Sequence, residues 1–197
     1  MSKTEREPKR NRKVEIIAAA EKLLRERGLS GVTTRAIAEE VPCSEGAIYV
    51  HFASRVELLF AVLEQNLPAM LTPFDVLEEN VGKQTVEHNL LSAFEGLQQF
   101  HNRTASMLSS LFSEPVLLAK FRGELMTKAK GPRGAIAHLA RYIRAEQQLG
   151  RVAASVDPEI MGSVLVSSSF FYSFTSLLTG QILPGLKGAG LIKQLLR

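Results

Sequence analysis

Residues Thr33 to Glu64 read TTRAIAEEVPCSEGAIYVHFASRVELLFAVLE. The first twenty of these residues have the form of a helix-turn-helix. Thr33 is a good N-cap for a short helix over roughly 34–41. Pro42 and Cys43 end that helix, and Ser44, again an N-cap type, opens a second short helix to about Val50. Ile37 and Ala38 face inward on the first helix and Ile48 on the second, and Ala38 is small enough for a close crossing. The outward set on the second helix is Ser44, Glu45, Ala47, Tyr49, Val50 and His51. Few of these are large, so such a helix can approach base edges in a major groove about 12 Å wide. Ser54 then caps a longer helix carrying Val56, Leu59, Phe60, Leu63 and Leu67.

Upstream, Val14 to Arg27 places Ile17, Ala20, Leu23 and Leu24 at helical spacing, and Gly28 follows as a stop. Downstream, Pro68 and Pro73 are expected to loosen the chain. Helices are predicted over Thr85–Arg103, with a continuation or a short partner helix over Thr104–Phe112, and over Val116–Lys128, Gly134–Leu149, Asp157 to about Thr179, and Leu191–Leu196. Gly180–Gly190 reads as a loop. No alternating run of strand length competes, so the chain is all-α. From Ile160 to Leu186 there is no charged residue. That length could span a bilayer, but six serines, two threonines, Gln181 and Pro184 favour a helix buried on several sides. No membrane association is expected.

The chain has 197 residues, 24 of them Lys or Arg and 20 Asp or Glu, for a net charge of +4. Residues 1–13 hold six basic and two acidic side chains, while residues 14–55 hold five basic and six acidic. The excess is therefore a short N-terminal arm ahead of a folded domain, one mark of nucleic-acid binding. The single cysteine, Cys43, excludes an intrachain disulfide framework and a cysteine-cluster metal site. The charged start has no apolar core like that of a secretory signal, so a cytoplasmic protein is expected. His88, His101 and His138 have no metal-ligand spacing, and no cofactor, metal or catalytic residue is assigned.

Over Thr33–Glu64 the sequence resembles the DNA-binding module of tetracycline-repressor (TetR) family regulators. Thr33, Thr34 and Arg35, then Ile37-Ala38, Ser44, Gly46, Ile48-Tyr49, His51-Phe52 and Ser54-Arg55 carry the resemblance, and Ala19, Ala20, Leu23 and Gly28 extend it to the first helix. It implies that Thr33, Thr34 and Ser44 bind phosphate at helix N-termini. Arg35 would reach a base or phosphate, Tyr49 and His51 would donate to phosphates or touch bases, and Arg55 would bind phosphate. Gly46, Ala47, Val50 and Glu45 complete the face, and Arg12 joins it from the arm. Three departures stand out: Pro42 where glycine is common, Ala36 where an acid is frequent, and Glu45 where a polar or basic residue is common. A carboxylate at position 45 repels phosphate unless it accepts from a cytosine amino group.

The implied organisation is a basic arm over 1–13, a helix-turn-helix DNA-binding domain over 14–60, and a ligand-binding and dimerisation domain over 61–197. The last two long helices would pair two copies. The uncharged segment supports this independently, because it is too apolar for a monomer's surface. Phe100, Met107, Leu111, Phe112, Phe121, Met126, Phe170, Phe171, Tyr172 and Phe174 are the candidates for an apolar ligand pocket. The functional expectation is a dimeric repressor that binds a palindromic double-stranded DNA operator and responds to a small apolar or amphipathic ligand. The alternatives, an all-α enzyme and a helical protein-interaction module, leave the basic arm and the capped helix-turn-helix unexplained.

Overall fold

A computed structural model describes residues 11–66, 68–127, 132–181 and 188–197. Ten α-helices and no strand occur among them. The chain divides into two compact units, residues 1–65 and 66–197.

The first unit is built by helix ends as much as by helices. α1 (Arg12–Arg27) buries Ile16, Ile17, Ala20, Leu23 and Leu24 on one stripe. It ends at Gly28, whose φ of 67° lies where only glycine sits without strain, and whose N–H returns to the Leu24 carbonyl. A 3₁₀ turn over Leu29–Gly31 leads to α2 (Thr34–Glu40) and α3 (Glu45–His51). α1 packs on α2, and α2 on α3. Each short helix is started by a hydroxyl: Thr33 Oγ1 accepts from the Ala36 N–H at 3.1 Å and Ser44 Oγ from the Ala47 N–H at 3.3 Å. α4 (Arg55–Asn66) begins with a reciprocal cap. Ser54 Oγ accepts from the Glu57 N–H, and the Glu57 carboxylate reaches back to accept from the Ala53 N–H at 2.8 Å.

Long side chains fix α1 to the segment between and after the short helices. Lys22 pairs with Glu40 at 2.6 Å, Arg12 donates to the Pro42 carbonyl at 3.3 Å, and the Lys13 ammonium stands 5.6 Å from the Phe52 ring centre.

The second unit holds α5 (Pro68–Glu79), α6 (Val86–Ser110), α7 (Pro115–Thr127), α8 (Pro132–Gln148), α9 (Pro158–Thr179) and α10 (Gly188–Leu195). α6 and α9 pack along each other, α8 lies on α9, and α5 and α10 cover α6. Leu90, Phe94, Leu97, Leu139, Ile143 and Leu165 form the centre of this core. α10 comes so close that a β-carbon added at Gly188 would stand 2.5 Å from the Phe94 ring, which admits only glycine there.

The element order follows the expected one with three changes. Pro73 does not loosen the chain but sits inside α5. It forgoes one backbone hydrogen bond, and the complete burial of Phe74 and Leu77 just beyond it holds the helix together. The stretch after Arg103 is the unbroken end of α6, closed by a 3₁₀ turn over Leu111–Ser113. The helices over 115–127 and 132–148 begin one or two residues early, each at a proline, which suits a first turn. Residues 1–10 of the basic arm, Leu67, Lys128, and most of the loop expected over Gly180–Gly190 lie outside the described residues.

α9 has the length and mean hydropathy (22 residues, 1.3) of a membrane span. Its Met161, Gly162, Leu165, Val166 and Tyr172 are buried, and it packs on α6 and α8. Glu146 is wholly buried, a placement that no pattern in the sequence signals. It accepts from the Gly82 N–H at 3.1 Å and pairs with Arg151 at 3.3 Å. The Tyr142 hydroxyl donates to it and accepts from Asn89 Nδ2 at 2.9 Å. Burial, with that carboxylate beside it, pushes the Tyr142 phenol well above its usual range.

Candidate nucleic-acid interface

In the first unit, Ile37, Ile48 and Phe52 are buried, while Glu45, Gly46, Tyr49 and Val50 are turned outward. Tyr49 is 60% exposed and Val50 82%. α3 therefore presents one face to the surroundings along its whole length. Beside it lies a recess of about 260 Å³ whose floor is Ile37, Ile48 and Phe52. Four sequence-predicted residues, Thr33, Thr34, Tyr49 and Arg55, line it together with Ser54. Polar groups thus ring an apolar floor, as suits one edge of a sugar–phosphate chain.

Individual side chains differ from expectation. Thr33 and Ser44 are the caps already described, with their hydroxyl oxygens occupied by backbone N–H groups. Thr34 donates its hydroxyl hydrogen to the Glu45 carboxylate across the turn. Arg35 is exposed and leans on Glu39 at 3.2 Å. Arg12 is held by Glu15 at 3.0 Å and by Pro42, so it belongs to the folded unit and not to a free arm. His51 is half-buried with its ring 6.5 Å from Phe52, and Ala47 is half-buried. Arg55 is half-buried and donates to the Leu29 carbonyl. Cys43 is half-buried in the turn.

Residues 16–62 match the model of the tetR family of bacterial regulatory proteins. Over those residues the chain carries the DNA-binding module of tetR-family regulators. No curated protein sequence matches it. Among solved structures, Salmonella enterica GusR superposes with a TM-score of 0.69 at 19% identity, covering 93% of this chain and 92% of that one. A transcriptional regulator from Rhodococcus sp. Rha1 gives 0.66 at 16% identity, with 93% of each chain covered. A TetR-family regulator from Mesorhizobium loti gives 0.65 at 18%, covering 96% and 98%. At these identities the likeness is one of fold, and it extends over both units. Family and fold together support a DNA-binding transcriptional regulator.

In the second unit, the residues expected to line a pocket fall into two groups. Phe100, Met107, Leu111 and Phe121 are buried, and Phe170 is half-buried. Phe112 is 71% exposed on its 3₁₀ turn and Met126 83% exposed on α7, so neither lines an interior in a single chain. Phe171 and Phe174 are likewise exposed on α9. Helical spacing alone does not tell the inner from the outer flank of an apolar helix.

Two buried polar groups lie on the helices that carry these residues, His101 on α6 and Tyr172 on α9. His101, 5.5 Å from the Phe170 ring, meets Ser169 Oγ at 2.9 Å through Nδ1. The Ser169 hydroxyl donates to the Val166 carbonyl, so the His101 Nδ1–H is the donor and Nε2 the bare acceptor. Burial pushes the His101 pKa down to about 4, which keeps the ring neutral near pH 7. The Tyr172 hydroxyl is buried with no hydrogen-bond partner among the described residues.

Proposed function

We propose that this protein is a ligand-responsive transcriptional repressor that binds a palindromic DNA operator as a homodimer in the cytoplasm. The observation that carries the DNA-binding part is the continuous outward face of α3 beside the polar-rimmed recess. The working division is a basic arm ahead of α1, a DNA-binding unit up to residue 65 and a ligand and dimer unit over 66–197. Thr33, Tyr49 and Ser54 are the residues best placed to meet a phosphate.

Dimerisation is supported by α9, whose Ile160, Phe171, Leu177 and Leu178 are exposed. An apolar face of this kind on one long helix is the usual mark of an interface. Ligand binding is supported by the buried Phe100, Met107, Leu111 and Phe121, with His101 Nε2 and the Tyr172 hydroxyl as orienting polar groups. A small apolar or amphipathic molecule suits that set. Differential binding worth roughly 1–3 kcal/mol would suffice to release the operator.

Selection of bound duplexes from a random pool tests the first part, and a compound screen for release of the selected duplex tests the second. An inverted repeat with half-sites one helical turn apart, or a multiple of it, is the expected outcome. Recovery of no enriched sequence would refute the reading.

A further inference from the structure

On the recognition face, Glu45 is the one acidic side chain of α3, and its carboxylate is not left to swing freely. Thr34, eleven residues earlier at the first position of α2, donates its only hydroxyl hydrogen to Glu45 Oε2. The same face carries Tyr49 one turn further along and Val50 beyond it. Resting on the DNA-binding reading above, we infer that Glu45 is a specificity-determining residue that reads a cytosine in each half-site, and that Thr34 is its positioning residue.

The chemistry of the groove leads to cytosine. Residues at the start of a recognition helix are the ones that reach base edges. An ionised carboxylate accepts hydrogen bonds and donates none. In the major groove, guanine offers two acceptors and thymine an acceptor with a methyl group, so both confront the carboxylate with no donor. Adenine offers an amino group beside the N7 acceptor, which repels a second carboxylate oxygen. Cytosine offers its N4 amino group with no acceptor beside it on the same base.

The Thr34 contact matters in two ways. It reduces the ordering cost that a long, exposed side chain would otherwise meet on binding. It also means that the Thr34 hydroxyl hydrogen serves the base-reading carboxylate and not a phosphate. Glu45 thereby acts against wrong sequences as well as for the right one, since any other base leaves the negative charge facing acceptors or nearby phosphates.

The test uses the full-length protein and the duplex recovered from a random pool. The expected recovered site carries one cytosine per half-site that becomes selectable only in the presence of Glu45. Replacing that cytosine by 2-pyrimidinone, the same ring without its amino group, should weaken wild-type binding by roughly 5- to 150-fold. The Glu45→Ala protein should bind both duplexes equally, and Glu45→Gln should shift preference toward adenine, which a carboxamide contacts through both N6 and N7. Thr34→Val should lose part of the same discrimination, and Thr34→Ser should restore it. Thermal melts of each variant establish that the unit remains folded. If the wild-type protein enriches no sequence, the DNA-binding reading itself fails. If it enriches an operator and Glu45→Ala retains the full preference at every position, this inference alone is overturned.

Discussion

The guanidinium of Arg55 donates to the backbone carbonyl of Leu29, tying the first residue of α4 to the turn that follows α1. Leu29 is buried. The same carbonyl also accepts from the Val32 N–H at 3.1 Å, so removing the guanidinium removes one charged hydrogen bond without orphaning the carbonyl, at a cost of about 1.5 kcal/mol. Arg55→Ala should lower the urea midpoint of the first unit accordingly. A loss of DNA affinity with an unchanged urea midpoint would assign Arg55 to phosphate binding alone.

The Ser54–Glu57 cap at the start of α4 makes a second claim about stability. Ser54→Ala removes the acceptor for the Glu57 N–H, and Glu57→Ala the acceptor for the Ala53 N–H. Each should cost about 1 kcal/mol in a denaturant titration. Because the two hydrogen bonds act as one cap, the double variant should cost less than the sum.

The buried His101 makes the second unit sensitive to acid. Its folded pKa of about 4 lies below the ordinary histidine value of 6.5. Between these values the unfolded chain binds a proton that the folded chain refuses, so stability is full above pH 6.5 and falls as pH drops toward 4. At pH 5 the loss should be about 2 kcal/mol relative to pH 7. Urea titrations at the two pH values should show it in the wild-type protein, and His101→Gln should remove that part of the difference.

Phe171 and Leu178 are exposed on the outer face of α9. The double substitution Phe171→Asp, Leu178→Asp should convert dimer to monomer in light scattering. The secondary structure by circular dichroism should be unchanged, since neither side chain is buried within a single chain.

Deleting residues 1–10 removes Lys3, Arg6, Lys9 and Arg10 and retains Arg12, which is anchored to Glu15 and Pro42. The slope of log affinity against log salt should flatten by about 0.9 for each phosphate that the arm no longer neutralises. An unaltered slope would show that the arm does not touch DNA.

The features legible in the sequence are those whose partners lie within one helical turn. The caps at Thr33, Ser44 and Asp157 each bind the N–H three residues on, so residue type and spacing suffice to announce them. The buried stripe of α1 is legible for the same reason. What the sequence hides is non-local. Thr34 and Glu45 meet across a turn, Arg55 meets a carbonyl 26 residues away, and His101 meets a serine 68 residues away. A sequence names the donors and acceptors, but only the packed chain pairs them. Pro73 shows the converse case, where a correct local rule yields to the burial of Phe74 and Leu77. Phe112 and Met126 show a third, since an apolar residue at helical spacing can lie on either flank.

The seating of α10 against Phe94 bears on how the protein is made. Ile192 is wholly buried, so the core of the second unit stays open until residues near 192 have left the ribosome. The first unit needs only residues up to about 65 and can close while synthesis continues. The nascent chain therefore carries a finished recognition unit well before its second core is sealed. During that interval the face of α6 that carries Leu91 and Phe94, the side chains nearest Gly188, lacks its α10 cover.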